Sequence, residues 1–132
     1  MRRRSVGHWL QLVGIGHGII GAVTYRDVFT GMAREGLVGS VPDRGDRAAA
    51  FWFTVASPAL WMGGRLLRSA EERQDLPAQR VAGVVLTVVG VTGAVAMPKS
   101  GFPVLAGIGG VLLRRSLRGV PGADRRPSAS AS

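Results

Sequence analysis

The chain has 132 residues, 46% of them hydrophobic, with 20 glycines, no cysteine and a formal net charge of +9. This length allows one domain, smaller than most α/β enzymes, and the lack of cysteine excludes disulfides and thiolate metal sites. The basic excess is compatible with nucleic acid, but no basic recognition helix or aromatic platform can be drawn, so no nucleic-acid partner is expected. The charges fall instead in five patches (the start, Arg26 to Arg47, Arg65 to Arg80, Lys99, and Arg114 onward) separated by uncharged apolar runs, the pattern of a membrane-spanning chain.

The first run, Val6 to Tyr25, carries no charge other than what His8 and His17 hold, and as one helix it is about 30 Å long, the thickness of a hydrocarbon core. Its Gly16, Gly18 and Gly21 spell G-x-G-x-x-G. A dinucleotide site would need a strand before the glycines, a βαβ pattern, and an acidic residue for the ribose. Asp43 lies at a tolerable distance, but the flanking sequence is apolar on both sides and shows no strand alternation. Helix packing is the better account. At 100° per residue Leu10, Gly14, His17, Gly21 and Thr24 share a stripe, and Gly14 and Gly18 make a G-x-x-x-G step.

His17 lies near the middle of this span, where an ionisable group is costly and faces protein rather than lipid. His8 projects from the opposite face and no carboxylate or cysteine lies in any span, so no metal and no cofactor are expected. A packed, hydrogen-bonded imidazole and a proton-exchanging one are both open readings, because imidazole titrates near neutral pH.

Next, Phe29, Met32, Ala33, Gly36 and Leu37 have the spacing of a short amphipathic helix lying in the outer interface of the membrane. The turn-rich "PDRGDR" follows, with Asp46 able to cap the next helix. The second span, about residues 48–67, contains Pro58, which removes the hydrogen bond to the Thr54 carbonyl and predicts a kink beside the hydroxyls of Thr54 and Ser57. The polar loop "RSAEERQDLPAQR" reads as a helical extension that stops before Pro77, with Arg68 and Glu72 at i, i+4. The third span, about 81–97, repeats the small stripe with Gly83, Thr87, Gly90 and Ala94, and the two stripes are expected to face each other. The fourth, about 102–115, has 12 uncharged residues, Phe102 to Leu113, and needs the stems of Arg114 and Arg115 to reach across. Residues 119–132 are low in complexity and expected to be a disordered cytoplasmic tail.

The fold class expected is all-α: an integral membrane bundle of four transmembrane helices with a short interfacial helix in the first loop, forming one membrane domain over 1–118. With the N-terminus inside, 12 arginines lie on the cytoplasmic side against five basic residues outside, so both termini are expected to be cytoplasmic in the plasma membrane. A cleaved signal peptide is disfavoured by the missing small-x-small site and by the three further apolar runs.

"GHGIIG" in the first span, "DRAAAFWF" opening the second and "MPKSGF" closing the third resemble an uncharacterised family of small bacterial four-helix integral membrane proteins. The resemblance spans His8 to Leu113 and implies no activity. Pro103 stands where that pattern has an aromatic or aliphatic residue, which predicts a disturbed start to the fourth helix. The role expected is a non-enzymatic membrane protein whose partners are the lipid bilayer and a second copy or another membrane protein, acting through close helix packing at Gly14, Gly18, Gly21, Gly83 and Gly90. The alternative is a small dimeric transporter or proton-linked carrier using His17, with His17, Thr54, Ser57 and Thr87 lining a polar cavity. Cation exporters of this size use an intramembrane carboxylate, and no span here has one.

Overall fold

The computed structural model describes residues 5–36, 38–42 and 44–118. Among them are five helices and no strand: α1 (Val6–Thr24), α2 (Arg26–Glu35), α3 (Asp46–Glu72), α4 (Leu76–Ala96) and α5 (Phe102–Arg118). The expected disordered tail, residues 119–132, lies outside the described residues, as do Leu37 and Asp43. The chain divides into two compact units, Met1–Arg73 and Gln74–Ser132. In the first unit α1 and α3 pair antiparallel with α2 between them in sequence; in the second α4 and α5 form an antiparallel hairpin.

Local chemistry sets the helix ends. Ser5 caps α1, its hydroxyl accepting from the His8 N–H at 3.2 Å and satisfying one of the orphan donors of the first turn. Gly36 (φ +102°) ends α2, and Gly45 (φ +99°) precedes α3; both conformations strain a residue with a Cβ. Asp46 is therefore the first residue of α3 rather than its cap, and no side chain caps that end. Its carboxylate still sits in the first turn, where the helix dipole favours it.

The helical extension of α3 stops before Pro77, as its sequence predicts, and the proline belongs to the next helix. Helix α3 runs to Glu72, the chain reverses at Gln74 (φ +56°), and Asp75 caps α4 by accepting from Ala78 N–H at 3.0 Å. Pro77 then sits in the first turn of α4, where its missing N–H costs nothing. The same reasoning corrects Pro103. It is the second residue of α5, preceded by a turn in which the Ser100 hydroxyl donates to the Met97 carbonyl at 2.6 Å and accepts from Phe102 N–H at 3.3 Å. Helix α5 thus begins at Phe102 with Pro103 inside its first turn, a position that proline tolerates. Helix α3 continues unbroken through Pro58.

Two helices, Val6–Thr24 and Leu76–Ala96, are long and apolar enough to cross a membrane. Helix α3 is longer, but charged residues occupy both its ends, and α5 has Arg114, Arg115 and Arg118 in its last turns; a four-span bundle goes beyond this. Within each unit the side chains are sorted in an unusual way. Glycine, alanine and serine share the inner seams with Leu10, Leu67, Leu105 and Leu112, whereas Ile19, Ile20, Val23, Trp52 and Met62 in the first unit and Val81, Val88, Val95 and Val104 in the second are exposed. Helix α2 buries Met32, as its amphipathic spacing predicts, and Arg47 at the start of α3 pairs with Glu35.

Candidate functional site

The α1–α3 seam is built on small residues seven apart. Gly7, Gly14 and Gly21 recur on α1, and Ala50, Ser57 and Gly64 on α3, so each set stays on one side of its helix over successive double turns. The close approach excludes larger side chains. A Cβ on Gly7 would lie 2.5 Å from the Gly64 carbonyl oxygen, and one on Gly64 2.6 Å from the Gly7 carbonyl oxygen. At Gly14 the Cβ would meet the backbone nitrogen of Trp61 at 2.7 Å. Gly18 faces the Ser57 hydroxyl and Gly21 the Phe53 ring. Glycine in a helix interior costs about 1 kcal/mol relative to alanine, and the backbone contact it permits offsets that cost.

Hydrogen bonds cross this seam at two levels. In the middle, the Ser57 hydroxyl donates to the Gly14 carbonyl at 2.7 Å. It therefore serves the neighbouring helix. One turn away, the His17 ring stacks on Phe53 with centroids 3.8 Å apart and planes 16° apart. His17 Nε2 is enclosed and has no hydrogen-bond partner. Thr54 is exposed, with its hydroxyl 3.7 Å from where a Cβ on Gly21 would stand.

The second level lies at the N-terminus of α1. Both carboxylate oxygens of Glu71 accept backbone N–H groups there, Oε1 from Val6 at 2.9 Å and Oε2 from Gly7 at 3.1 Å. An anion so placed satisfies two orphan donors and meets the positive end of the helix dipole. Beside it, buried Gln11 accepts from Arg68 Nη1 at 3.3 Å, and Arg68 Nη2 is 3.9 Å from Glu72. Sequence reasoning singled out neither Glu71 nor Gln11. The signal was present: Glu71 continues the series Ala50, Ser57, Gly64 by one more step of seven, and Gln11 lies between Gly7 and Gly14 on the same face.

In the second unit the Gly83, Thr87 and Gly90 stripe meets α5. Gly83 packs on Leu113 and Gly90 on the backbone of Ala106, while Thr87 touches Gly109. The Thr87 hydroxyl donates to the Gly83 carbonyl of its own helix at 2.7 Å. The two small stripes, expected to face each other, are thus each occupied by the second helix of their own unit, because the chain reverses between α1 and α3 and between α4 and α5 with matching small residues. Of the four residues proposed for a polar cavity, His17, Thr54 and Ser57 belong to the first unit and Thr87 to the second. Ser57 and His17 make packed contacts across the α1–α3 seam. Among the described residues no group of three or more histidines and carboxylates gathers to hold a metal.

The arrangement can lock helix pairs together through backbone contact and a few enclosed hydrogen bonds, and it holds one imidazole nitrogen out of contact with water. No curated protein and no solved structure matches the chain. A family of unknown function, DUF6463, matches it over residues 1–119. With all five helices inside the matched span, the chain belongs to that family.

Proposed function

We propose that the protein is a non-enzymatic, multi-pass protein of the plasma membrane, with four spans and cytoplasmic termini, that works by helix association as a homo-oligomer or as a subunit of a larger membrane assembly. The observation that carries this reading is the exposure of large apolar side chains along the helices. In the most apolar stretch of α4 only 17% of the residues are buried, whereas a core helix of a water-soluble domain is mostly buried. Lipid accommodates such valine-rich faces, and small inner residues are what helices use to associate in lipid. The Glu71 clamp and the glycine seam also tie α1 to α3, which supports a resident first span rather than a removable leader. On this reading α3 and α5, with their arginine-rich ends, cross by snorkelling of those side chains.

Topology tests it directly. Because the chain has no cysteine, Ser40→Cys creates a unique thiol. A membrane-impermeant maleimide should label it from outside, and a reporter active only in the cytoplasm should be active at the C-terminus. Release of the protein by alkaline washing of membranes, or an external C-terminus, refutes the arrangement. The particle mass in mild detergent should exceed one 13.8 kDa chain; a strict monomer removes the self-association.

A second reading, a small dimeric proton-linked carrier, is favoured by one observation: His17 Nε2 is enclosed without a partner against the Phe53 ring. Proton exchange would then be lost in both His17→Gln and His17→Leu, since neither replacement side chain carries a proton it can exchange, and liposomes holding the wild type would take up protons when the outside is acidified. Wild-type liposomes without such uptake leave His17 as a packing group.

A further inference from the structure

The two long helices of the first unit share one uncharged band. Along α3 no charged residue lies between Arg47 and Arg65, a distance of about 27 Å at the rise of a helix. The antiparallel pairing sets Gly64 between Gly7 and Gln11, so Arg65 and Arg68 stand beside the first turns of α1. At the other end Phe53 meets Gly21, which puts Arg47, further back along α3, level with the end of α1 and with Arg26 beyond it. Helix α1 itself has no Asp, Glu, Lys or Arg. The charged limits of the two helices therefore coincide in height.

Within the band large apolar side chains face every outward direction. At 100° per residue, Ile15, Leu12 and Ile20 lie about 100°, 160° and 240° round α1 from Gly14, and Trp61, Val55 and Trp52 about 60°, 180° and 240° round α3 from Gly64. All six are exposed. A protein docked on the pair would cover one side and leave the others in water. Lipid chains cover all sides at once, and what they require is a common height, not a common face.

The tryptophans are graded along that height. Side chains on a helix lean towards its N-terminus. Trp9, in the turn of α1 that packs on Gly64, leans towards the end marked by Arg65. Trp52 leans towards Arg47 at the other end. Trp61 leans away from Arg65 into the middle of the band. Tryptophan concentrates at the two membrane–water interfaces.

We propose that the lipid-contacting surface of the first unit is a belt about 27 Å high, limited by Arg65 and Arg68 at one end and by Arg47 at the other, with Trp9 and Trp52 in the two headgroup regions and Trp61 among the acyl chains. This rests on the membrane reading above. A hydrocarbon core of about 27 to 30 Å takes a belt of that height with little tilt.

The chain has three tryptophans, so replacing two at a time by phenylalanine leaves full-length proteins with one fluorescent probe each. These are reconstituted in phosphatidylcholine vesicles whose chains are brominated either near the headgroup or near the chain ends. The ratio of shallow to deep quenching should exceed one for Trp9 and Trp52 and fall below one for Trp61. The opposite ratio at any of the three, or a tryptophan that neither lipid quenches, overturns the belt. Where a double replacement fails to insert, single cysteines decide: Val55→Cys and Ala59→Cys should resist N-ethylmaleimide in intact vesicles, whereas Arg44→Cys and Glu72→Cys should react. Reaction of the thiol placed at Val55 or Ala59 overturns the belt equally. Protein left in the supernatant when the vesicles are sedimented refutes the membrane reading itself, while vesicle-bound protein with the wrong order of depths refutes the belt alone.

Discussion

In the α1–α3 pair the seam is crossed by hydrogen bonds, from Ser57 to the Gly14 carbonyl, from Arg68 to Gln11, and from the Val6 and Gly7 N–H groups to Glu71. In the α4–α5 pair the middle of the seam is made of apolar and backbone contacts, Gly83 on Leu113, Gly90 on Ala106 and Gly93 on Phe102, with Arg80 donating to Ser116 at one end. Both pairs keep small residues at intervals of seven, so both bring backbones close. They differ in what a slip would cost. Shifting α1 along α3 strands a hydroxyl and a carboxylate away from their partners, and unmet polar groups in a low-dielectric seam are expensive. Shifting α4 along α5 costs shape complementarity alone in the middle of the seam. The first pair is therefore specified by polar contacts and the second by packing.

The largest effect should come from filling the packing-defined seam. Gly90→Leu places a side chain against the backbone of Ala106, which cannot move aside as a flexible side chain can, and should cost about 3 kcal/mol, the upper part of the range for overpacking. Gly14→Leu should cost nearly as much, because it meets the Trp61 backbone. Thermal unfolding in detergent measures both. Melting like the wild type in either variant would mean that the corresponding pair is not closed as described.

Next comes the polar clamp, where two adjacent carboxylates should behave differently. Glu71→Ala removes both acceptors from the α1 N-terminus and should destabilise by about 2 kcal/mol, the scale of hydrogen bonds to a charged group. Glu72→Ala removes a carboxylate that is 71% exposed and 3.9 Å from Arg68, and should change stability by less than about 0.5 kcal/mol. If the two variants melt alike, the clamp on Val6 and Gly7 contributes nothing specific.

The smallest expected difference separates the two hydroxyls at the seams. Ser57→Ala loses a bond between helices and should cost about 0.6 kcal/mol, a typical value for such bonds in membrane proteins. Thr87→Val loses a bond that returns to its own helix at Gly83, whose carbonyl also belongs to the helical ladder, and should cost less. A larger loss at Thr87 than at Ser57 would invert the contrast between a polar-specified and a packing-specified pair.

The sequence by itself determined where helices form and which of their residues are small. The uncharged run from Val6 to Tyr25 became α1, ending at Thr24; the spacing of Phe29 and Met32 became α2; and Gly14, Gly21, Gly83 and Gly90 lie on inner faces. These are properties of one helix at a time, read from charge and period. The tertiary structure decided which stripe meets which partner, how far α3 and α4 extend into polar sequence, and what Glu71 does. Helices α3 and α4 run past their apolar stretches to Glu72 and back to Leu76 because capping and cross-helix bonds engage their polar ends. Glu71 lies 65 residues from Val6 in the chain, and the period of seven that puts it on the seam face of α3 does not say which helix terminus it meets. That pairing exists only once two helix faces have closed, since the geometry that aligns both oxygens with two N–H groups is a product of the closure.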